Sequence, residues 1–232
     1  MNIVELQKFS LIEYPGKVSC IIFTQGCNFE CCYCHNPELI KSKPVTNPKH
    51  TMKDIINFLK ARKDQLEGIV ITGGEPFIQS DLEDFCRFIK EETSISVKIN
   101  TNGSAPGKLK RLIDAKLVDY ISLDVKAPAE KYPTITGTWC PASTIYESVV
   151  ALKLSTIPHM FHITMARPYI GLAEVKKIIS EFKLPLDRVK LQKCVPDRVL
   201  DSSKMPGNQY NDADMERMNV RLGIRKEQYE QK

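Results

Sequence analysis

Residues 24–38 read TQGCNFECCYCHNPE, and four of the chain's eight cysteines, Cys27, Cys31, Cys32 and Cys34, fall inside this stretch. So dense a group of thiols has three ordinary explanations: disulfides, a structural zinc, or an iron–sulfur cluster. Bulk properties bear on the choice. The 232 residues suit one domain of ordinary size, and contents of 42% hydrophobic and 26% charged residues are near average for a soluble globular protein. No apolar run reaches the length of a membrane span, and the opening MNIVELQKFSLIEYPGK lacks the apolar core of a signal peptide. The expectation is a cytoplasmic protein without a membrane segment, where clustered thiols bind metal or do chemistry more often than they pair. Cys20, Cys86, Cys140 and Cys194 are scattered and read as small buried hydrophobes. The net charge of +5 is mild and its cations are spread along the chain, which argues for a solvated surface rather than a nucleic-acid interface.

Short β-rich runs alternate with helix-period segments. Strands are expected at 18–25, 68–72, 95–101, 119–126, 160–166 and 188–194. Between them Met52, Ile55, Ile56 and Leu59 repeat at helical spacing behind a capping box of Thr51 and Asp54. Leu82, Phe85, Cys86 and Ile89 repeat the pattern, as do Leu172, Val175, Ile178, Ile179 and Phe182. Leu109, Leu112 and Ile113 mark a shorter helix, and Ile145, Val149 and Leu152 another behind Thr144. Such alternation implies parallel strands with right-handed crossovers, hence an α/β sheet or barrel.

Alternation within the strands adds a second expectation. Ile121, Leu123 and Val125 fall on one face, and Ser122, Asp124 and Lys126 on the other. Val97, Ile99 and Thr101 likewise oppose Lys98, Asn100 and Asn102; Phe161, Ile163 and Met165 oppose His162 and Thr164; Val189 and Leu191 oppose Lys190 and Gln192. If the apolar faces meet the helices, the polar faces point inward and predict a cavity for a polar ligand, since buried charge without a partner is costly. An open sheet with one solvated face is the alternative.

The cysteine loop follows the first of these strands, at the C-terminal rim where α/β barrels build their sites. Cys27, Cys31 and Cys34 form C-x3-C-x2-C, which suits three corners of a cubane cluster, whereas Cys32 is crowded by its neighbours. Three thiolates with His35 also make a Cys3His zinc set, so the loop alone leaves zinc open.

With Tyr33 just before the last cysteine, the loop resembles the signature of the radical S-adenosylmethionine (SAM) superfamily. After the second strand Gly73-Gly74-Glu75-Pro76 resembles that superfamily's motif for the methionine amino group, and the pair together disfavours zinc. The longer stretch FSLIEYPGKVSCIIFTQGCNFECCYCHNPEL resembles the N-terminal segment of glycyl-radical-enzyme activating enzymes. Its flanks YPGK and CHNPEL are most like the activating protein of anaerobic ribonucleoside-triphosphate reductase. INTNG at 99–103 and LDVK at 123–126 are similar to further strand motifs of these activases. The likeness runs over residues 7–170 and fades beyond Pro196. Asn100 departs from it, because pyruvate formate-lyase activases carry an aspartate there; a monovalent cation at that position is correspondingly in doubt.

The resemblance implies a partial (β/α)6 TIM-like barrel, open laterally, over residues 1–196, with a tail at 197–232. There, NDAD and the spacing of Met215, Met218 and Leu222 predict a final helix. It implies a [4Fe–4S] cluster on Cys27, Cys31 and Cys34, whose open iron takes the amino and carboxylate groups of SAM. One electron then cleaves the C5′–S bond, and the 5′-deoxyadenosyl radical takes a hydrogen atom from a glycine α-carbon of a partner enzyme. Glu75 with the Gly73–Gly74 backbone is expected to hold the ammonium group, and Tyr33 and the cluster loop, His35 included, to lie along the adenine. Asp124 and Lys126 are expected at the ribose and methionine ends, with Asn100, Thr101, His162 and Arg167 as further contacts. No catalytic side chain is expected beyond the cluster and SAM. The implied partners are a glycyl-radical enzyme, anaerobic ribonucleotide reductase above all, and an electron donor such as flavodoxin or ferredoxin, with no nucleic acid. A radical SAM enzyme acting on a small molecule, of the 7-carboxy-7-deazaguanine synthase kind, and a non-catalytic zinc module are the alternatives.

Overall fold

The computed structural model describes residues 1–40, 50–196 and 199–224. Its centre is one seven-stranded sheet in which sequence order and spatial order coincide. Strand β1 (Ile3–Ser10) pairs antiparallel with β2 (Ser19–Thr24). From β2 onward every pairing is parallel, through β3 (Gly68–Gly73), β4 (Ser96–Thr101), β5 (Tyr120–Asp124), β6 (His159–Met165) and β7 (Val189–Lys193). Parallel neighbours require crossovers, and helices supply them: α1 (Met52–Arg62), α2 (Leu82–Glu92), α3 (Pro106–Asp114), α4 (Tyr132–Thr136) with α5 (Ala142–Leu154), and α6 (Leu172–Glu181). A last helix, α7 (Asp212–Leu222), follows β7. Among the described residues β1 and β7 each pair on one side only, so the six parallel strands make a barrel left open laterally.

The expected faces are the observed ones. Ile99, Ile121, Leu123, Phe161, Ile163 and Val189 are fully buried in the main core against the helices. Their alternates Asn100, Ser122, Asp124, His162, Lys190 and Gln192 line an interior cavity. A second, small apolar cluster of Tyr14, Ile21 and Val70, with Phe23 and Tyr120, sits apart from that core.

Local signals place the helices. Thr51 caps α1 by accepting from the Asp54 N–H, and the Asp54 carboxylate accepts from the Thr51 N–H in return. Asn211 and Asp214 form the same reciprocal cap on α7. Helix α5 begins at Ala142, ahead of Thr144. Strand β1 was not expected: only Ile3 and Ser10 of its eight residues are buried, so it carries no alternating apolar face to read. Helix α4, a five-residue turn closed by Gly137 at φ +67°, was also missed. Of the expected tail, residues 197–198 and 225–232 lie outside the described residues. In the remainder Met205, Met215 and Ile224 are buried in the main core.

The two faces of β6 make the architecture testable. Ile163→Ala opens a hole in the helix-facing core and is expected to cost about 2–5 kcal/mol. Thr164→Ala, on the cavity face one residue on, is expected to stay within about 1 kcal/mol. Urea midpoints of the two variants check the contrast, and equal losses would contradict the facing assigned here.

Candidate active site

The cysteine loop leaves the C-terminal end of β2 and is fixed on several sides. The Gly26 N–H donates to the Leu39 carbonyl at 2.7 Å, the Glu30 N–H to the Thr136 carbonyl at 2.6 Å, and the Cys34 N–H to the Cys31 carbonyl at 2.9 Å. Helix α4 is thus the loop's outer brace, and Gly137 is needed there: a Cβ would come within 2.9 Å of the Glu30 carbonyl, and φ is already positive.

The next rim, Gly73-Gly74-Glu75, lies directly against this loop. A Cβ on Gly74 would sit 1.8 Å from the Gly26 carbonyl oxygen, and one on Gly73 2.4 Å from the Thr24 nitrogen. The closeness permits the Gly74 N–H to donate to the Thr24 carbonyl at 2.9 Å and the Glu75 N–H to the Gly26 carbonyl at 2.8 Å. Glu75 is 1% exposed, and its carboxylate accepts from Thr101 Oγ1 at 2.7 Å, from the Asn102 N–H at 2.7 Å and from the Phe77 N–H at 3.1 Å. Burial pushes this carboxyl up to about 7, and the three donors work against that rise. Glu75 thus ties the β3 and β4 rims together while still lining the cavity, and a carboxylate with three donors keeps acceptor capacity for a further one.

Tyr33 is also a strut. It is 3% exposed and its hydroxyl donates to the Lys126 carbonyl at 3.0 Å, while the Lys126 N–H donates to the Tyr132 hydroxyl at 3.1 Å. Two tyrosines therefore clamp the end of β5 under the cysteine loop. Lys126 Nζ pairs with Asp124 Oδ2 at 2.8 Å. Burial alone would lower its pKa, but Asp124 and the neighbouring thiol and phenol raise it well above the ordinary lysine value. His35 Nε2 accepts from the Val195 N–H at 3.0 Å, and burial first, then Lys126, lower its pKa.

One cavity of about 1130 Å3 collects Cys27, Cys31, Cys34, Tyr33, His35, Gly73, Gly74, Glu75, Asn100, Thr101, Asp124, Lys126 and His162. Arg167 is not among its walls. Strand β6 ends at Met165, so the inward alternation has lapsed by Arg167, and the tail captures the guanidinium. It donates to the Asn208 carbonyl at 3.1 Å, approaches Asp214 at 3.9 Å and stacks 4.3 Å over the Tyr210 ring. Cys32 is turned away as well: it is 8% exposed and lines a separate outer cleft with Tyr169, Leu200 and Lys204. Asn102 was overlooked although it belongs to the polar face of its strand. Its amide donates to Asn28 Oδ1 at 2.9 Å and points its other contact, 4.0 Å long, at Cys27 Sγ.

The thiols suit a polynuclear cluster. Cys27, Cys31 and Cys34 come from one loop and line one cavity, and three thiolates of one loop are the ligand type an iron–sulfur cluster takes. Burial pushes Cys27 up to about 11 and Cys31 up to about 12. Thiols so placed hold their protons at neutral pH until metal binding displaces them.

Fold and site together are those of a radical SAM protein. The sequence profile of the Radical SAM superfamily matches residues 21–182, most of the chain, and the chain belongs to that superfamily. Membership brings the family's cofactors, a [4Fe–4S] cluster and SAM. A Methanocaldococcus jannaschii protein described as "Putative glycyl-radical enzyme activating enzyme" is 42% identical over 125 residues, 53% of this chain and 49% of its own length. The 7-carboxy-7-deazaguanine synthase of Clostridium acetobutylicum is 28% identical over 132 residues, 55% of this chain and 58% of its own. The chain thus spans about half the length of these curated relatives. Among solved structures, Streptococcus suis SuiB bound to its precursor peptide SuiA superposes with a TM-score of 0.66 over 88% of this chain and 44% of its own, at 17% identity.

Two substitutions test the site. Cys32→Ala is expected to retain the iron and sulfide of the reconstituted protein, whereas Ala at 27, 31 or 34 loses the cluster; the reverse result for Cys32 and Cys34 would overturn the ligand set. Glu75→Ala leaves three buried donors unpaired and is expected to lower stability by about 3 kcal/mol or more, seen as a fall in the urea midpoint of the cluster-free protein.

Proposed function

We propose that this chain is a glycyl-radical-enzyme activase whose partner is an anaerobic ribonucleotide reductase. The observation that carries the reading is the lateral opening: among the described residues the edges of β1 and β7 are paired on one side only, and the cavity beneath the cysteine loop runs down the lumen to Leu11, Ile12 and Arg188, on the loops after β1 and before β7 at the far end of the parallel strands. A radical generated inside must be shielded from water and stray hydrogen donors. A small substrate would leave that gap open, whereas a partner's glycine-bearing loop can enter through it and close it. When bound, the cluster and SAM supply a one-electron cleavage whose product radical removes a hydrogen atom from the substrate glycine. The chain's own residues do the positioning. Cys27, Cys31 and Cys34 would hold the cluster. The Gly73–Gly74 backbone, Glu75, Tyr33, Asn100, Thr101, Asp124, Lys126, His35 and His162 would line the SAM, and Glu75 and Tyr33 also keep these rims in register. The YPGK and CHNPEL flanks support the choice of partner, and the 42% identical relative supports the activase class. The electron would come from a low-potential flavodoxin or ferredoxin. A cytoplasmic setting is consistent with reduced cysteines and with the finding that no helix among the described residues is long and apolar enough to cross a membrane.

The second reading, a radical SAM enzyme acting on a small molecule, draws support from the polar interior wall and the deazaguanine synthase relative. Electron paramagnetic resonance separates the two. The reduced, cluster-loaded protein with SAM is expected to cleave SAM slowly alone, and to raise a stable glycyl radical once the reductase from the same source is added. The partner's glycine-to-alanine variant should abolish the signal while still binding. Vigorous turnover of a small metabolite, with no radical in any partner, would favour the second reading.

A further inference from the structure

Asn102 sits where the cysteine loop meets the β4 rim. It is 5% exposed, and both ends of its side-chain amide are engaged. Its N–H donates to Glu75 Oε2 at 2.7 Å, and its Oδ1 accepts from the Ser104 N–H at 2.9 Å. A main-chain N–H can only donate, so the Ser104 bond fixes which end of the amide is oxygen and turns Nδ2 toward the cysteine loop. One Nδ2 hydrogen goes to Asn28 Oδ1 at 2.9 Å, and Asn28 Nδ2 in turn donates to Ser104 Oγ at 2.8 Å. Asn102, Asn28 and Ser104 are thereby closed into a ring of three hydrogen bonds. The second Nδ2 hydrogen has Cys27 Sγ before it at 4.0 Å, the outer reach for a sulfur acceptor.

The same sulfur also accepts from the Phe29 N–H at 3.4 Å, so two N–H donors converge on Cys27 Sγ. A thiol sulfur is a weak acceptor and gains little from two donors. A thiolate on iron carries the negative charge that such donors complete, and hydrogen bonds to it are charge-assisted and stronger. Burial away from water strengthens them further. Hydrogen bonds to the sulfurs are among the factors that set an iron–sulfur cluster's reduction potential. An added electron raises the negative charge on those sulfurs. An N–H aimed at one of them therefore favours the reduced form.

We propose that Asn102 is a positioning residue that hydrogen-bonds the Cys27 thiolate of the bound cluster and raises the cluster's reduction potential. The ring with Asn28 and Ser104, and the main-chain bond to Glu75, hold its N–H on the sulfur. One electron then passes from a low-potential carrier to the cluster with no bond made or broken, and the raised potential lets a given carrier reduce a larger fraction of it. The inference rests on Cys27 as a cluster ligand. It does not rest on the activase reading, since either radical SAM reaction begins with a reduced cluster.

The test is a mediated redox titration of the cluster-reconstituted, SAM-free protein, with the reduced cluster read by electron paramagnetic resonance. Asn102→Ala removes the donor. Asn102→Asp keeps an acceptor for the Ser104 N–H and puts a carboxylate oxygen where the donor stood. Each is expected to keep its iron and sulfide and to show about a tenfold smaller equilibrium constant for reduction, a midpoint about 59 mV lower for one electron. Ser104→Ala takes only the hydroxyl from the ring and should leave the wild-type midpoint. An unchanged midpoint in the cluster-loaded Asn102 variants overturns the proposal. Loss of the cluster from both variants does so too, because it makes Asn102 a structural residue only. If one of the two holds a cluster, that variant decides. Iron and sulfide retained in Cys27→Ala would remove the ligand set and this inference with it, whereas their loss there, beside unchanged Asn102 midpoints, removes the inference alone.

Discussion

The Glu75 carboxylate holds the catalytic end of this molecule in register. Through its backbone N–H it is bonded to the cysteine loop at Gly26, and through its carboxylate to Thr101 and Asn102 on the next rim. Three consecutive strand ends are therefore fixed relative to one another by one residue. A buried carboxylate is costly on its own and becomes tolerable because three donors satisfy it. The two glycines before it allow the approach, since any side chain at Gly74 would overlap the Gly26 carbonyl. Asn102, bonded at its N–H by Glu75, in turn reaches Asn28 and Cys27, so the strut extends to the cysteine loop.

The same logic governs the opposite side of the cavity. Lys126 is held at its N–H and carbonyl by Tyr132 and Tyr33, and at its ammonium by Asp124. A lysine so constrained is a fixed positive charge beside the thiols. His162, in register with Asp124 on one side and Lys190 on the other, is kept neutral by burial. The lumen wall thus carries thiols at the rim, the Asp124–Lys126 ion pair and the further cations Lys98 and Lys190. A wall of aliphatic side chains, as in a filled barrel, would exclude all three.

The alternation of residues 97–102 and 121–126 was enough to assign faces, because period-two patterns survive whenever one face meets a helix layer. The cysteine spacing and the glycine pair were legible as site motifs for a similar reason: each is local, and the chemistry demands fixed residue types over a few positions. Strand β1 was not legible because an edge strand with six of eight residues outside the core has no apolar stripe. Arg167 was misplaced because a motif read along the chain cannot know that the strand stops at Met165, or that Tyr210 and Asp214 wait some forty residues on.

The sequence by itself determined the six βα units, the polar interior, the three-cysteine loop and the membership that these imply. Those features depend on periodicity and on short-range spacing, which the chain carries locally. Only the tertiary structure decided what each polar group is for. It gave Glu75 and Tyr33 hydrogen-bond partners on neighbouring rims, placed Arg167 against the tail and Cys32 in the outer cleft, and brought Asn100, Asp124 and His162 from three strands to one cavity. The physical reason is that a hydrogen bond or an ion pair is made with whatever partner the packed fold brings within reach, and those partners lie tens of residues away along the chain.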